Sequence, residues 1–468
     1  MNQSVIHIIK NITSANSSRS LLQRFIAYSF RQSIRCKFKR FGDRPVGESL
    51  KILDREYRTD EWTNIPDKVI DLIERHDPLY KTPGNPIYLI AESLRQHYTD
   101  FECFQFRDPV VTTWQNFDSI LVPSDHVSRS KTDTFYVDKQ HVLRSHTSAH
   151  QSECFKRLAN TTKHQALNDP KFMIIGDVYR RDEVNRTHHA AFHQAEIVQL
   201  YSEQHCRMAT TNLFDESNET RTDHCQERHN LNAIRIVENE LKSQVESYIH
   251  LMFDSTDGDP IQMRWVPAYF PFTHPSWELE IQLPRNKSTN DNGEDLDKSE
   301  WLEMLGCGIV EQSILDRDGH SNRIGWALGF GLERLAMLYY AIPDIRLFWT
   351  RDTGFSVQFD RLKPFERYRY RPISAYPQKI FDIAFWLPAE CSEWSANDVH
   401  AIILEIGGHL VEQAHLMDEW TRPKDGRKSN CYRIVYRSHE RALTNDEVNR
   451  IHHRIEQALV KELNVEIR

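Results

Sequence analysis

Two apolar runs, FMIIGDVY (172–179) and AEIVQLY (195–201), stand on either side of one short polar segment. Strand-forming runs this close in sequence pair with each other as an antiparallel hairpin, so whatever lies between them sits at the rim of a sheet. That join is crowded. Between Asp177 and Leu200 it carries Arg180, Arg181 and Arg186, His188, His189 and His193, and the carboxylates Asp182, Glu183 and Glu196. On the residues alone three readings compete: a metal site built from His188, His189 and His193, a solvated hairpin, and a cradle for an anionic substrate.

The chain has 468 residues, enough for two or three separable cores, and its 39% hydrophobic content supplies material to fill them. No run approaches the roughly 20 apolar residues of a membrane span, so no membrane partner is expected. A net charge of −8 excludes wholesale coating of nucleic acid and leaves room only for local basic faces. The eight cysteines never form Cys-x-x-Cys, which points to free thiols and away from a zinc ribbon.

Residues 1–42 differ from the rest: they hold no acid, and in LLQRFIAYSFRQSIR Arg24, Arg31 and Arg35 share one helical face opposite Leu21, Leu22, Phe25 and Ile26. An Arg- and Ser-rich, acid-poor amphipathic leader predicts a mitochondrial transit peptide and hence the matrix. From 65 to 98, IPDKVIDLIERH and IYLIAESLRQHY predict two short helices, and RHNLNAIRIVENELKSQVESYIHLMF (228–253) predicts one long helix. Residues 264–284 and 301–316 read as strands, joined by a polar solvent loop. GWALGFGLERLAM (325–337) reads as a glycine-rich strand end feeding a helix after Gly331. Beyond a basic, aromatic linker the periodicities run βαββαβ, a ferredoxin-like pattern, with capping boxes predicted at Ser395-x-x-Asp398 and Thr444-x-x-Glu447.

Arg180 and Arg334 are permanent cations in otherwise strand-like or apolar segments, and cations drawn out of water want anions. GDVYRRD (176–182), with Tyr179, Arg180, Arg181 and Asp182, resembles motif 2 of the class II aminoacyl-tRNA synthetases, with aspartate where the class usually has glutamate. GWALGFGLERLAM, with Gly329, Gly331, Glu333 and Arg334, resembles motif 3. With HTSAHQ, THHAAFHQAE, YFPFTHPS and WLEMLGCG between and around them, the set resembles the phenylalanyl-tRNA synthetases of the single-chain mitochondrial type, from about residue 60 to the end.

That resemblance implies an α+β fold: a class II antiparallel sheet flanked by helices, plus a C-terminal ferredoxin-like anticodon-binding domain. The implied boundaries are 1–42 for the leader, 43–360 for the catalytic domain with its helical lead-in, 361–374 for the linker and 375–468 for the second domain. It implies ATP with Mg²⁺, L-phenylalanine and tRNA(Phe) as partners, a monomer, and no tightly bound metal or organic cofactor. Arg180, Asp182, His188 and Arg334 are implied in catalysis, and Arg180, His188, Phe192, Glu333 and Arg334 in binding ATP. Phenylalanine is implied to meet His146, Ser148, Gln194, Glu196, Phe270, Phe272, Ala327 and Gly329, with Ala327 at the pocket floor. Glu303 and Asp182 are implied in the Mg²⁺ shell. Arg369, Arg371, Lys379, Arg427 and Lys428 are implied to meet tRNA, with Tyr368, Tyr370 and Tyr376 as stacking surfaces. His189 and His193 are four apart in a hairpin, a spacing not expected to put both imidazoles on one face, so the metal reading weakens. A catalytically inactive relative that binds RNA or a partner is the alternative, against which stand Arg180, Phe192, Gln194 and Arg334.

Overall fold

The computed structural model describes residues 44–75, 77–160, 169–207, 211–254, 260–282, 301–350, 353–372, 376–388 and 394–468. The leader and the polar loop after residue 284 lie outside these residues. A hairpin of β1 (Ser49–Ile52) and β2 (Arg55–Arg58) comes first, followed by helices α1 (Asp67–Arg75) and α2 (Pro86–His97). Short strands β3 (Glu102–Phe104), β4 (Val110–Thr112) and β5 (His141–Leu143) lead to α3 (Gln151–Asn160). The hairpin read from the sequence is β6 (Lys171–Tyr179) with β7 (Ala191–Ser202), paired antiparallel from Lys171↔Gln199 to Tyr179↔Ala191.

The predicted long helix is α4 (Leu231–Phe253), opened by the Asn230 side chain accepting from the Asn232 and Ala233 amides. It lays Val237, Leu241, Val245, Tyr248, Ile249 and Met252 onto the sheet, all fully buried, and each such side chain contributes roughly 1.5–3 kcal/mol. The segment 264–284 is two strands, β8 (Met263–Phe270) and β9 (Thr273–Gln282), turning at Pro271 and Phe272. A proline inside an apolar run breaks the ladder, and this one marks the turn. Likewise 301–316 divides into β10 (Trp301–Val310) and a helical turn over Gln312–Arg317. Then β11 (Arg323–Gly331) runs straight into α5 (Leu332–Tyr339) at Gly331, as predicted.

These strands form one sheet in the order β3-β6-β7-β11-β10-β9-β8, antiparallel except for β3 beside β6. Its back face, with Ala195, Ile197, Leu305, Cys307, Leu328 and Phe330, packs against α2, α4 and α5. Its front face is covered only in part: Cys154, Phe155 and Leu158 of α3 meet Val198, Leu200, Val310 and Ala327. Among the described residues the other half of the front face is left uncovered.

The C-terminal region is a four-stranded sheet, β12 (Lys379–Trp386), β13 (Val411–Thr421), β14 (Lys428–Tyr436) and β15 (Glu466–Ile467), in the order β13-β14-β12-β15. Helices α6 (Ala396–Gly407) and α7 (Asn445–Leu463) complete the predicted βαββαβ chain order. Thr444 caps α7 by accepting from the Glu447 amide at 3.2 Å. The box predicted at Ser395 does not form: Ser395 makes no side-chain cap, and Asp398 is buried against Arg181 of the first domain. A charge partner from another domain outcompetes a local cap.

Candidate active site

The open half of the front face is the floor of a cavity of about 680 Å³. Alternation along each strand chooses what points into it. From β7 come Phe192, Gln194 and Glu196, and in the next strand Gly331 and Gly329 stand opposite Gln194 and Glu196. Gly306 of β10 pairs with Gly329, and Gly308 with Ala327. At Gly329 a Cβ would meet nothing within 4 Å, so the glycine there opens space. At Gly306 a Cβ would come within 2.6 Å of the Phe270 ring, so this glycine lets an aromatic ring lie flat on the strand. Every residue implied in catalysis, in Mg²⁺ binding and in binding ATP or phenylalanine lines this one cavity.

At one end the walls are aromatic. Phe270 and Phe272 lie nearly parallel, 5.9 Å between centroids, with Ala327 buried beneath. Beside them stands a polar cluster. Glu196 is buried, and its Oε1 accepts from Gln151 Nε2 at 2.8 Å, with Ser148 and Thr147 beside the carboxylate. Burial pushes its carboxyl up to about 7, against hydrogen bonds from Ser148, Gln151 and Thr147 that pull it down. Gln194 Oε1 accepts from the Thr147 amide at 3.3 Å. His146 Nε2 donates to the Asn116 carbonyl at 3.0 Å, which leaves Nδ1 as a buried acceptor. Burial first, and the Arg180 charge second, push that imidazole down to about 3, so it stays neutral.

At the other end the groups are cationic. Arg180 Nε donates to the Ser145 carbonyl at 2.8 Å, and its guanidinium lies 5.1 Å from the Phe192 centroid. Surrounding protein lowers its basicity, yet an arginine stays charged after any such shift. Arg334 donates to the Glu303 carbonyl at 2.6 Å and stands 3.7 Å from that residue's carboxylate. Asp182 lies near Arg180, and His188 is folded onto the Asn185 side chain, Nδ1 to Oδ1 2.8 Å. Asn185 also accepts from the Thr187 and His188 amides, which shapes the hairpin tip. Glu333, implied in binding ATP, lines the cavity with both its oxygens bonded to His193.

The family model described as tRNA synthetases class II core domain (F) matches residues 70–214 and 214–359, and that described as ferredoxin-fold anticodon binding domain matches 374–468. Over 435 residues the chain is 40% identical to the mitochondrial phenylalanine–tRNA ligase of Mus musculus, covering 90% of this chain and 89% of that protein. The chain belongs to the mitochondrial phenylalanine–tRNA ligase family of class II synthetases. Identity is 38% over 448 residues to the probable mitochondrial phenylalanine–tRNA ligase of Drosophila melanogaster, covering 90% of this chain and 92% of that protein. It is 36% over 462 residues to the mitochondrial phenylalanine–tRNA ligase of Saccharomyces cerevisiae, covering 88% and 94%.

The residues that the phenylalanine–tRNA ligase resemblance implies for tRNA are not gathered in one place. Lys379 opens β12 opposite Tyr436, whereas Lys428 begins β14 near Trp386 at the other end of that strand, roughly 25 Å away. Lys379 donates to Asn445 at 2.8 Å and Arg427 pairs with Glu466 at 2.7 Å. Arg369 and Arg371 are exposed in the linker. Tyr370 is no stacking surface: it is 5% exposed and packs on Phe355, its amide bonded to the Tyr340 carbonyl. An aromatic in a basic linker buries itself when a core lies within reach.

The hairpin tip is held from the second domain. Arg181 pairs with buried Asp398, Arg186 with buried Glu412, and the Ala414 amide donates to the Val184 carbonyl at 2.7 Å. Asn397 donates to the Thr132 and Arg181 carbonyls at 3.0 and 3.2 Å. The histidine spacing also turns out differently from expectation. His189 and His193 do share a face, each stacking 5.5 Å from Trp349. No group of three metal-binding side chains forms among the described residues; His189 Nδ1 bonds the Ala191 carbonyl and His193 Nδ1 bonds Glu333. Two supports were not foreseen. Buried Arg144 binds the Asp177 carboxylate at 2.7 Å beneath β6, and the Asn116 side chain accepts from the Ser145 amide at 2.9 Å. Neither sits in a motif, so only the folded contact reveals them.

Proposed function

We propose that the chain is a phenylalanine–tRNA ligase of the mitochondrial matrix that joins L-phenylalanine to ATP as an adenylate and passes the acyl group to tRNA(Phe). One observation carries the reading: an aromatic slot and two permanent cations face each other across a single cavity of about 680 Å³. In this reading the phenylalanine ring packs against Phe270 and Phe272, over Ala327 and Gly329. Glu196, Gln194, Ser148 and the lone pair of His146 receive the ammonium. Arg180 spans the substrate carboxylate and the α-phosphate with its planar fork, holding together two anions that repel each other as they react. Its charge stabilises the crowded phosphorus centre, and the protein forms no covalent bond.

Adenine lies between the Phe192 ring and the Arg334 guanidinium, an arrangement worth on the order of 1–3 kcal/mol. His188 meets the phosphates. Mg²⁺ is usually held by one or two carboxylates plus the phosphates themselves, and the Glu303 and Asp182 carboxylates at the cationic end fit that donor set. The ion would offset phosphate charge, and Arg180 and Arg334 do the positioning. Transfer goes to the 2′-hydroxyl of the terminal adenosine, with tRNA met by Arg369, Arg371, Lys379, Arg427 and Lys428, and the chain works as a monomer.

ATP–pyrophosphate exchange assayed with each of the twenty amino acids tests this. Exchange driven by phenylalanine, followed by charging of tRNA(Phe), is the expected result. Exchange with none, or driven by another amino acid, overturns it.

A further inference from the structure

The ladder between β7 and β11 ends at Gln194↔Gly331. One residue further along β7, the His193 amide no longer has that strand as a partner, and the Glu333 carboxylate takes its place. The amide donates to Oε2 at 2.8 Å and the ring Nδ1 bonds Oε1 at 2.6 Å. The histidine is 1% exposed and the glutamate 3%. The imidazole is fixed in turn by Trp349 and by the edge of Tyr80, 5.5 and 5.9 Å between centroids. Two bonds from one carboxylate, to a main-chain donor and to a packed ring, fix direction as well as distance. Helix α5 has no side-chain cap at Gly331, so this contact anchors its first turn to the sheet.

The chain neighbours of this pair matter most. Phe192 precedes His193 and projects into the cavity, and Arg334 follows Glu333. We propose that His193 and Glu333 are a positioning pair that sets the gap between the Phe192 ring and the Arg334 guanidinium to the thickness of one purine, and so tunes recognition of ATP. The proposal rests on the reading of Phe192 and Arg334 as the adenine site. In this proposal the pair acts through its chain neighbours, since both Glu333 oxygens are held on His193. Its effect is geometric: a gap widened by 0.5–1 Å forfeits roughly a quarter to a half of each dispersion contact on a stacked base.

ATP–pyrophosphate exchange with the full chain tests the pair, with KM for ATP and KM for phenylalanine measured separately and a thermal midpoint for each variant. Glu333→Ala is expected to raise KM for ATP about tenfold and to leave KM for phenylalanine within about twofold. Glu333→Gln keeps an acceptor for the His193 amide and is expected to recover most of the loss. His193→Phe keeps a ring against Trp349 and removes only the Nδ1 bond. It carries the test if the alanine variant does not fold, with a rise of about threefold in KM for ATP alone expected. An unchanged KM for ATP, or a parallel rise in both KM values, overturns the proposal. Phe192→Ala and Arg334→Ala separate the two levels. If they leave KM for ATP unchanged, the adenine reading fails and the proposal with it, and if they raise it while the pair variants do not, the proposal alone fails.

Discussion

Glu196 shows how one side chain links burial to a pH profile. Burial raises its carboxyl from 4.5 to about 7, so near pH 6 it is mostly neutral. A group whose folded pKa is raised stabilises the fold fully below its unfolded value and loses that contribution as pH climbs to about 7. In the proposed reading ligand binding has the opposite sign, because the substrate ammonium pairs with the carboxylate. KM for phenylalanine is therefore expected to fall roughly tenfold between pH 6 and pH 8, and Glu196→Gln is expected to flatten that profile. Ala327, buried where β11 crosses the aromatic slot, sets a different limit. Ala327→Gly is expected to admit para-chlorophenylalanine in the exchange assay, and activation no better than by the parent would remove Ala327 from the pocket floor. Arg180 and Arg334 were legible because a permanent cation in an apolar run is conspicuous. His193 was not, because a histidine between two loaded neighbours reads equally well as a ligand or as a satisfied core group.

At the scale of elements, the glycines of β10 show how a strand is shaped by what it omits. Gly306→Ala places a methyl 2.6 Å from Phe270 Cζ, so the ring must move into the slot. The expected result is a KM for phenylalanine raised about tenfold with KM for ATP unchanged, measured by exchange. Helices α4 and α7 and the β6–β7 hairpin could be read from period and turn chemistry, since each satisfies its own pattern locally. The β8–β9 turn was hidden because Phe270-Pro271-Phe272 keeps an apolar texture through the reversal. The cap at Ser395 failed for the complementary reason: Asp398 is used by a partner more than two hundred residues away in the chain, which no local pattern records.

Across the whole molecule, the second domain touches the first at the hairpin that carries Arg180. Arg181 and Asp398 are both buried there, and truncating one strands the other's charge. Arg181→Met is expected to cost about 3–5 kcal/mol in urea unfolding, and Arg181→Met with Asp398→Leu to recover most of it. A single variant no less stable than the parent would show that the pair contributes nothing. The same sequence signal, a second arginine in motif 2, gave no hint of this inter-domain use.

The uncovered half of the large sheet has a consequence for the protein's stability. Where α3 stops, the sheet keeps glycines in place of core side chains, and in the proposed reading the substrates would supply the volume that packing would otherwise fill. Phenylalanine and ATP then behave as removable pieces of the interior. By mass action a ligand at one hundred times its Kd stabilises the fold by about 2.7 kcal/mol, visible as a rise in thermal midpoint. Thermal midpoints measured with and without phenylalanine and ATP are expected to differ in that direction, and equal midpoints would show that neither ligand acts as part of the core.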